Sequence, residues 1–445
     1  MSSNNKDTID VIAMGGQGNN SRNSTSLGRS SGDRRGTSGR GTSSNRSSSG
    51  SGRKGSGSSS SRNGGSGKKK MTKRQRQLRK RKMLIAEVIA LVVLLLVLLV
   101  WGLISKVDFQ KFSLFEAGIN EDLDTSFLKG YTNIAVFGLD NRDETSYDSG
   151  NSDVIMVASI NNETKEIRLV SVYRDTYLCV DDEQNYNKAN AAYAHGGAKN
   201  AVKMLNRNLD LNITEFVCVD WKALIETIDA LGGVEIDVQE NEVEYLNAYV
   251  GDTTCWVPEA DGTWIAGPGL QTLNGTQATA YARIRYTAGD DFMRAARQRI
   301  VLQAMMDKVK QADLKTLFKI VNDVADDVST SFNLSQLLGL ASAVKDYSIA
   351  GTTGFPFQLT TGEVSGKDYV FPVELDNNVV ALHQYLFGEE EGYTPSNTMQ
   401  AISDDIVYIS GISESNAELY DLDRWLQLAD PEWDETHQTE TNGEE

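Results

Sequence analysis

Two carboxylates thirteen residues apart bracket the loop in "VFGLDNRDETSYDSGNSDVIMV", Val136 to Val157: Asp140 closes one apolar run and Asp153 opens the next. Both runs read as buried strands. If they are neighbours, the loop brings the two acids together at the sheet edge where open α/β sheets place ligands. Such a pair suits Mg²⁺, which binds through one or two carboxylates, several waters and phosphate oxygens. Asp, Asn, Ser and Gly are equally the residues of turns, so a purely conformational reading stands beside the metal one. Arg142 lies in the same loop.

A second apolar run, "SVYRDTYL", ends in Arg174 and Asp175, which a surface ion pair explains as well as a site does. The densest constellation is "LNGTQATAYARIRYTAGDDFMRAARQR", Leu273 to Arg299. Arg283 and Arg285 point the same way if that segment is extended. Arg294 shares a helical face with Arg297 or Gln298. Planar guanidinium forks match phosphate bidentately, and the competing explanation is a helix laced with ion pairs. "NKANAAYAHGG" holds Asn190 and the Gly196-Gly197 pair, a turn into a following helix, and His195, which has no catalytic partner in view. No Walker glycine loop is present, and three histidines leave no credible Ser-His-Asp arrangement. Together the acids and arginines describe one site for a metal and a polyphosphate.

Strand and helix signals that alternate from Asn133 onward position these residues, as in a layered α/β/α domain around a central mixed sheet. "NIAVFGL", "DVIMVASI", "EIRLVSVY", "EFVCVD" and "VEIDV" read as strands. "AKNAVKMLNRNL" and "WKALIETIDAL" read as helices, the latter capped by Asp220 and stopped by Gly232 and Gly233. Further helices are expected near 297–311, 314–327 and 334–345. A hairpin region follows over 351–372, then a short helix in "NNVVALHQYLFG".

Composition divides the rest of the chain. Residues 1–82 are mostly Ser, Gly, Asn and Arg, with 20 basic and 3 acidic residues, and cannot repay their ordering entropy. The formal charge of −17 is thus the sum of about +17 there and −34 in the remaining residues. Residues 83–105 form an apolar run with one charge, Glu87, long enough for a hydrocarbon core of roughly 30 Å. Ten Lys and Arg between Lys68 and Lys82 put that side in the cytoplasm. The expected plan is a disordered cytoplasmic tail (1–82), a transmembrane signal anchor (83–105), a linker (106–130), a catalytic domain (131–348), a C-terminal extension on or near it (349–430) and a loose acidic tail (431–445), the last four outside the membrane. Because the basic residues peak beside the membrane, the tail reads as an orientation signal rather than a nucleic-acid binder. Cys179, Cys218 and Cys255 fit no metal spacing, and their odd number leaves at least one thiol unpaired.

In order, "GLDNR", "NSDVIMV", "SVYRDTYL", "KANAAYAHGG", "IDALGGVEIDV", "LNGTQATAYARIR" and "DDFMRAARQR" resemble the LytR-CpsA-Psr proteins of bacterial cell envelopes. The resemblance implies transfer of a glycopolymer, with its linking phosphate, from a polyprenyl-pyrophosphate carrier to a peptidoglycan hydroxyl. It implies Asp140 and Asp153 as Mg²⁺ ligands. Arg174, Arg283, Arg285, Arg294 and Gln298 would hold the pyrophosphate, with Arg142 and Arg297 in support, and Asp175 and Asp291 would orient the arginines or act as base. It also implies an apolar tunnel for the lipid tail. The chain departs from the family pattern twice, with Asn151 where Arg is usual and Tyr173 where Pro is usual. Those departures keep open a membrane-anchored binder or attenuator without useful turnover; a further alternative, related to transfer, is hydrolysis of the lipid-linked precursor with water in place of the sugar hydroxyl.

Overall fold

Residues 131–139 and 152–161 alternate apolar side chains between two faces, and in the computed structural model they pair as antiparallel strands from Tyr131↔Asn161 to Leu139↔Ser152. The structure describes residues 106–420 except 114, 141–146, 148–149, 286–289 and 389–391, together with Leu91 and Leu94. The expected tail (1–82), the rest of the expected anchor, Arg142 and the acidic tail (431–445) lie outside the described residues. No helix among the described residues is long and apolar enough to cross a membrane.

The strands are β1 (Asp108–Phe109), β2 (Tyr131–Leu139), β3 (Ser152–Asn161), β4 (Glu166–Val172), β5 (Tyr177–Cys179), β6 (Tyr186–Lys188), β7 (Glu215–Val219), β8 (Val234–Val238), β9 (Gly269–Leu273), β10 (Val328–Thr330), β11 (Ser348–Phe355), β12 (Leu359–Val364) and β13 (Lys367–Pro372). The helices are α1 (Ala191–Leu209), α2 (Trp221–Ala230), α3 (Val243–Trp256), α4 (Gly275–Arg283), α5 (Asp290–Gln311), α6 (Leu314–Val324), α7 (Leu334–Ser342), α8 (Leu375–Phe387) and α9 (Asn397–Ser410). Seven strands form one mixed sheet in the order β1-β10-β7-β2-β3-β4-β11, while β5-β6, β8-β9 and β12-β13 are separate ribbons.

Period-two alternation assigns each face of the sheet a core. Ala135, Phe137, Leu139, Ile155, Val157, Val170 and Val172 pack with Val202 and Leu205 of α1, Val379 and Leu382 of α8, and Met399 and Ile402 of α9. Ile134, Ile160, Ile167 and Leu169 face the other way, onto Phe332, Met306 and the α7 residues Leu337 and Leu340. The layered α/β/α expectation therefore describes this part of the chain.

The segments expected as a linker (106–130) and as an extension packed on or near the domain (349–430) both meet the sheet: β1 extends it through β10, with Leu123 and Leu128 buried in the main core. β11 pairs along β4 from Ser348↔Glu166 to Phe355↔Val172, and α8 and α9 pack on the same core. Asp210 ties both segments to the body. It is wholly buried at the end of α1 and accepts hydrogen bonds from Asn120 Nδ2 (2.6 Å), Tyr393 Oη (2.7 Å), Ser396 N (2.8 Å) and Ser396 Oγ (2.6 Å).

Two local devices set the helices beside the site. The Asp220 carboxylate accepts from Ala223 N (2.8 Å) and starts α2, as its sequence predicted. Asn274 caps α4 in a reciprocal box with Gln277. Gly275 lets α4 touch α2, since a Cβ there would lie 2.3 Å from the Ile225 carbonyl oxygen.

Candidate functional site

The β2–β3 register jumps from Gly138↔Val154 to Leu139↔Ser152, so Asp153 is the extra residue of a β-bulge. Bulges re-aim a side chain at the end of a ladder. Here Asp153 lines a cavity of about 680 Å³ together with Asp140, Arg174, Arg285 and Arg294. Leu139 pairs with Ser152, so the two acids that the sequence separates by a loop sit at the same end of adjacent strands.

Three guanidinium groups converge on two carboxylates. Arg174 Nη1 lies 2.9 Å from Asp153 Oδ1 and its Nε 3.1 Å from Asp291 Oδ2. Arg285 Nη2 lies 3.2 Å from Asp153 Oδ2 and its Nε 3.2 Å from Asp291 Oδ1. Arg294 Nη1 is 3.6 Å from Asp153 Oδ2 and 3.5 Å from Asp291 Oδ1, with the side chain 6% exposed. Asp175 Oδ2 adds a third carboxylate 3.5 Å from Arg174 Nε. Burial opposes ionisation of Asp291, but Arg294, Arg174 and Arg285 outweigh it and hold the carboxyl below the usual range. Burial lowers Arg294 more than Asp291 and Asp153 raise it, and its buried Nε has no hydrogen-bond partner. For Arg174 the balance reverses: burial opposes, yet Asp153, Asp291 and Asp175 raise its pKa. Asp175 also meets Lys188 Nζ at 3.0 Å and lines a smaller recess next door.

Arg283 belongs to a second group. It ends α4 rather than lying on an extended segment, so the expectation that it points with Arg285 fails on secondary structure, although both line the cavity. Its Nη2 meets Asp252 Oδ2 at 2.6 Å and its Nη1 donates to Thr253 Oγ1 at 2.8 Å. Its guanidinium lies 4.9 Å from the Trp221 ring centroid and 5.3 Å from that of Tyr249. Trp221 Nε1 in turn donates to Asp140 Oδ1 at 3.0 Å.

Arg297, expected in support of the pyrophosphate groups, is not among the residues that line the cavity. It is 1% exposed, its Nε meets Glu242 Oε1 at 2.6 Å and its Nη1 donates to the Ile284 carbonyl, just beyond α4, at 3.1 Å. Gln298 does line it, and also lines an apolar cavity of about 80 Å³ between the sheet and the helices, bounded by Val136, Val154, Met156, Leu224 and Val301. Trp221 is likewise common to both.

Both departures from the expected motifs are seated without strain. Tyr173 donates its backbone N–H to Phe355 O at 3.0 Å, a bond proline could not make, and its ring packs edge-on against Phe292. Asn151 is exposed beside the bulge.

Trp221, Tyr245, Tyr249 and Asp252 escaped the sequence reading as cavity residues. A signal was present: 245, 248, 249 and 252 share one helical face that carries tyrosines and an acid where a core helix would carry aliphatic residues.

Asp140 and Asp153 line one cavity and offer hard carboxylate oxygens of the kind Mg²⁺ takes, Asp153 being paired here with Arg174 and Arg285 and Asp140 bonded to Trp221. Among the described residues no group of three or more His, Cys, Asp or Glu gathers as a closed metal cage.

The site thus consists of strand-end acids and convergent arginines on one cavity of a mixed α/β fold, with an apolar cavity adjoining. The chain belongs to the LytR_cpsA_psr family, which it matches over residues 111–383. Biofilm regulatory protein A of Streptococcus mutans is 30% identical over 260 residues, 52% of this chain and 60% of that protein. The polyisoprenyl-teichoic acid–peptidoglycan teichoic acid transferase TagU of Enterococcus faecalis is 29% identical over 210 residues, 47% of this chain and 64% of that protein. The chain thus spans less than two thirds of the length of these relatives. Among solved structures, TagT bound to LI-WTA is 22% identical with a TM-score of 0.49, covering 62% of this chain and 99% of that one.

Proposed function

We propose that this protein transfers a glycopolymer, with its linking phosphate, from a polyprenyl-pyrophosphate carrier to a hydroxyl of peptidoglycan. The observation that carries the reading is the junction of two cavities: the arginine-lined one and the apolar one share Trp221 and Gln298. A pyrophosphate esterified to a prenyl chain needs that adjacency of charge and hydrocarbon. Several relatives named as teichoic acid transferases support the same class of reaction.

Arg174, Arg285 and Arg294 would bind the pyrophosphate, with Gln298 at the passage to the prenyl chain. Asp153 and Asp291 keep the three guanidinium groups aimed at one point before substrate arrives, so little reorganisation is needed in the transition state. Asp291, whose pKa the arginines depress, is suited to orienting them rather than to taking a proton. The acceptor hydroxyl oxygen bonds to the phosphorus that bears the sugar, the bond from that phosphorus to the bridging oxygen breaks, polyprenyl phosphate leaves with the electron pair, and the hydroxyl proton passes to water. Mg²⁺, held by Asp140 and Asp153, would neutralise charge on the pyrophosphate oxygens. The apolar run 83–105 would anchor the chain in the cell membrane with its domain outside, beside the lipid-borne donor.

The test is an incubation of the purified chain with a polyprenyl-pyrophosphate-linked sugar and Mg²⁺, with and without a peptidoglycan oligosaccharide. Product that requires the acceptor is expected. Phosphorylated sugar released regardless of acceptor would indicate hydrolysis instead, and tight binding with no turnover an attenuator.

A further inference from the structure

A different side of α5 from the one that carries Arg294 and Gln298 borders a second recess, which the pyrophosphate reading leaves unused. It measures about 360 Å³ and is lined by Arg299, Ile300, Asp307 and Lys308 of α5, with Glu235 of β8 and Thr352 of β11. Arg299 is the buried member of this lining at 9% exposed, whereas Glu235, Ile300, Asp307 and Thr352 are exposed. Among the described residues its guanidinium enters no ion pair or hydrogen bond, and Nη1 is wholly buried without a partner. Burial pushes its pKa down, and the groups that oppose this are Tyr173 and Tyr385 rather than a carboxylate. Asp307 is engaged elsewhere, accepting from Gln303 Nε2 at 3.3 Å. A charge held out of water is ordinarily paired, so this cation is set up for an anion that none of the described residues supplies.

We propose that the recess binds a short peptide with free termini, its carboxylate on Arg299 and its ammonium group on Glu235 and Asp307. A guanidinium fork matches a carboxylate bidentately. Arg299 and Lys308 against Glu235 and Asp307 leave the four charged groups of the lining neutral in sum. A dianionic phosphate would meet two carboxylates there, whereas a zwitterion finds an opposite charge for each of its ends. Ile300 adds apolar surface for a small aliphatic side chain, and the volume lies at the small end of ligand pockets. The site is independent of the transfer reading, because α5 presents the two groups of residues on different sides.

The experiment titrates the full chain in detergent with alanyl-alanine, with its C-terminal amide, with its N-acetyl derivative and with inorganic phosphate, by calorimetry and by thermal shift. Alanyl-alanine should bind saturably and raise the melting temperature. The amide, which lacks the carboxylate, should bind roughly tenfold more weakly, and the N-acetyl form, which lacks the ammonium group, should also lose affinity. Arg299→Met should erase the preference for acid over amide, while the unliganded variant melts no lower than the wild type because an unpaired buried charge is gone. Arg299→Lys, which keeps the charge without the fork, should retain part of the affinity. The absence of saturable binding, equal affinity for acid and amide, or tighter binding of phosphate than of the peptide overturns the proposal. So does a preference for the acid that survives Arg299→Met, or a lower melting temperature in that variant, which would mean that the guanidinium already has its partner within the fold.

Discussion

At the scale of single residues, two arginines three positions apart on α5 have opposite work. Arg294 lines the cavity and pairs there with Asp153 and Asp291 through Nη1. Arg294→Ala should weaken pyrophosphate binding by about 10- to 100-fold, the range expected for charge-assisted hydrogen bonds, while circular dichroism stays native. A calorimetric affinity equal to wild type would remove Arg294 from the site. Arg297 instead closes a buried pair with Glu242. Arg297→Met leaves that carboxylate without its cation and should cost about 3–5 kcal/mol of stability. Arg297→Met combined with Glu242→Leu should recover most of the loss in a denaturant titration; recovery of nothing would mean the pair does more than balance charge. For the metal, Asp140→Asn should raise the Mg²⁺ concentration needed for half-maximal transfer, and an unchanged titration would argue against Asp140 as ligand.

At the scale of elements, the approach of α4 to α2 is limited by Gly275, where any Cβ would run into the Ile225 carbonyl oxygen at 2.3 Å. Because the obstacle is backbone, Gly275→Ala must push α4 outward, and overpacking of this kind costs about 1–3 kcal/mol. The melting temperature should fall as Arg283 at the far end of α4 loses register with Asp252, and a thermal scan equal to wild type would show that the contact tolerates the methyl group. The helix that carries this glycine also shows what the sequence could and could not reveal. Strands with clean alternation, such as β2 and β3, and helices with a cap, such as α2 with Asp220, were legible because local chemistry dictates them. Arg283 points with Arg285 only if their segment is extended, and it is not: the Asn274–Gln277 box starts a helix that runs to Arg283, a cap legible in "NGTQ" but outweighed by the alternation of "TAYARIR". The bulge at Asp153 was invisible, because one extra residue in a ladder leaves no mark in composition. The charges at Asp140, Asp153, Arg174 and Arg285 were readable by type and order. Burial of Arg297 was not, for its partner Glu242 is 55 residues away.

At the scale of the whole molecule, the site lies at the Leu139 end of β2, whereas the other end is clamped by segments from both termini of the described chain. Tyr131 Oη donates to Phe387 O at 3.0 Å, and the His383 ring stacks on Tyr393 with centroids 3.6 Å apart, next to the Asp210 hub. Eight residues of strand separate the two ends, roughly 25 Å at about 3.3 Å per residue. His383 is buried with its Nε2 2.9 Å from Leu209 O, so Nε2 carries the hydrogen, and its buried Nδ1 has no partner that would welcome a proton. Burial pushes its pKa down to about 4 from an ordinary value of 6.5. In the unfolded chain this imidazole takes up its proton near 6.5, while in the folded chain it resists until about 4. The unfolded state thus binds more protons in that window, and stability falls as pH drops from 6.5 toward 4, by on the order of 3 kcal/mol for this one group. Above 6.5 the group has no further effect. His383→Gln keeps an N–H for the Leu209 carbonyl and removes the titration. Melting temperatures measured from pH 7 to 4.5 should therefore drop less steeply in the variant than in the wild type, and ligand binding should be lost together with the fold rather than before it. Parallel pH profiles for the two proteins would show that the clamp does not sense acid through His383.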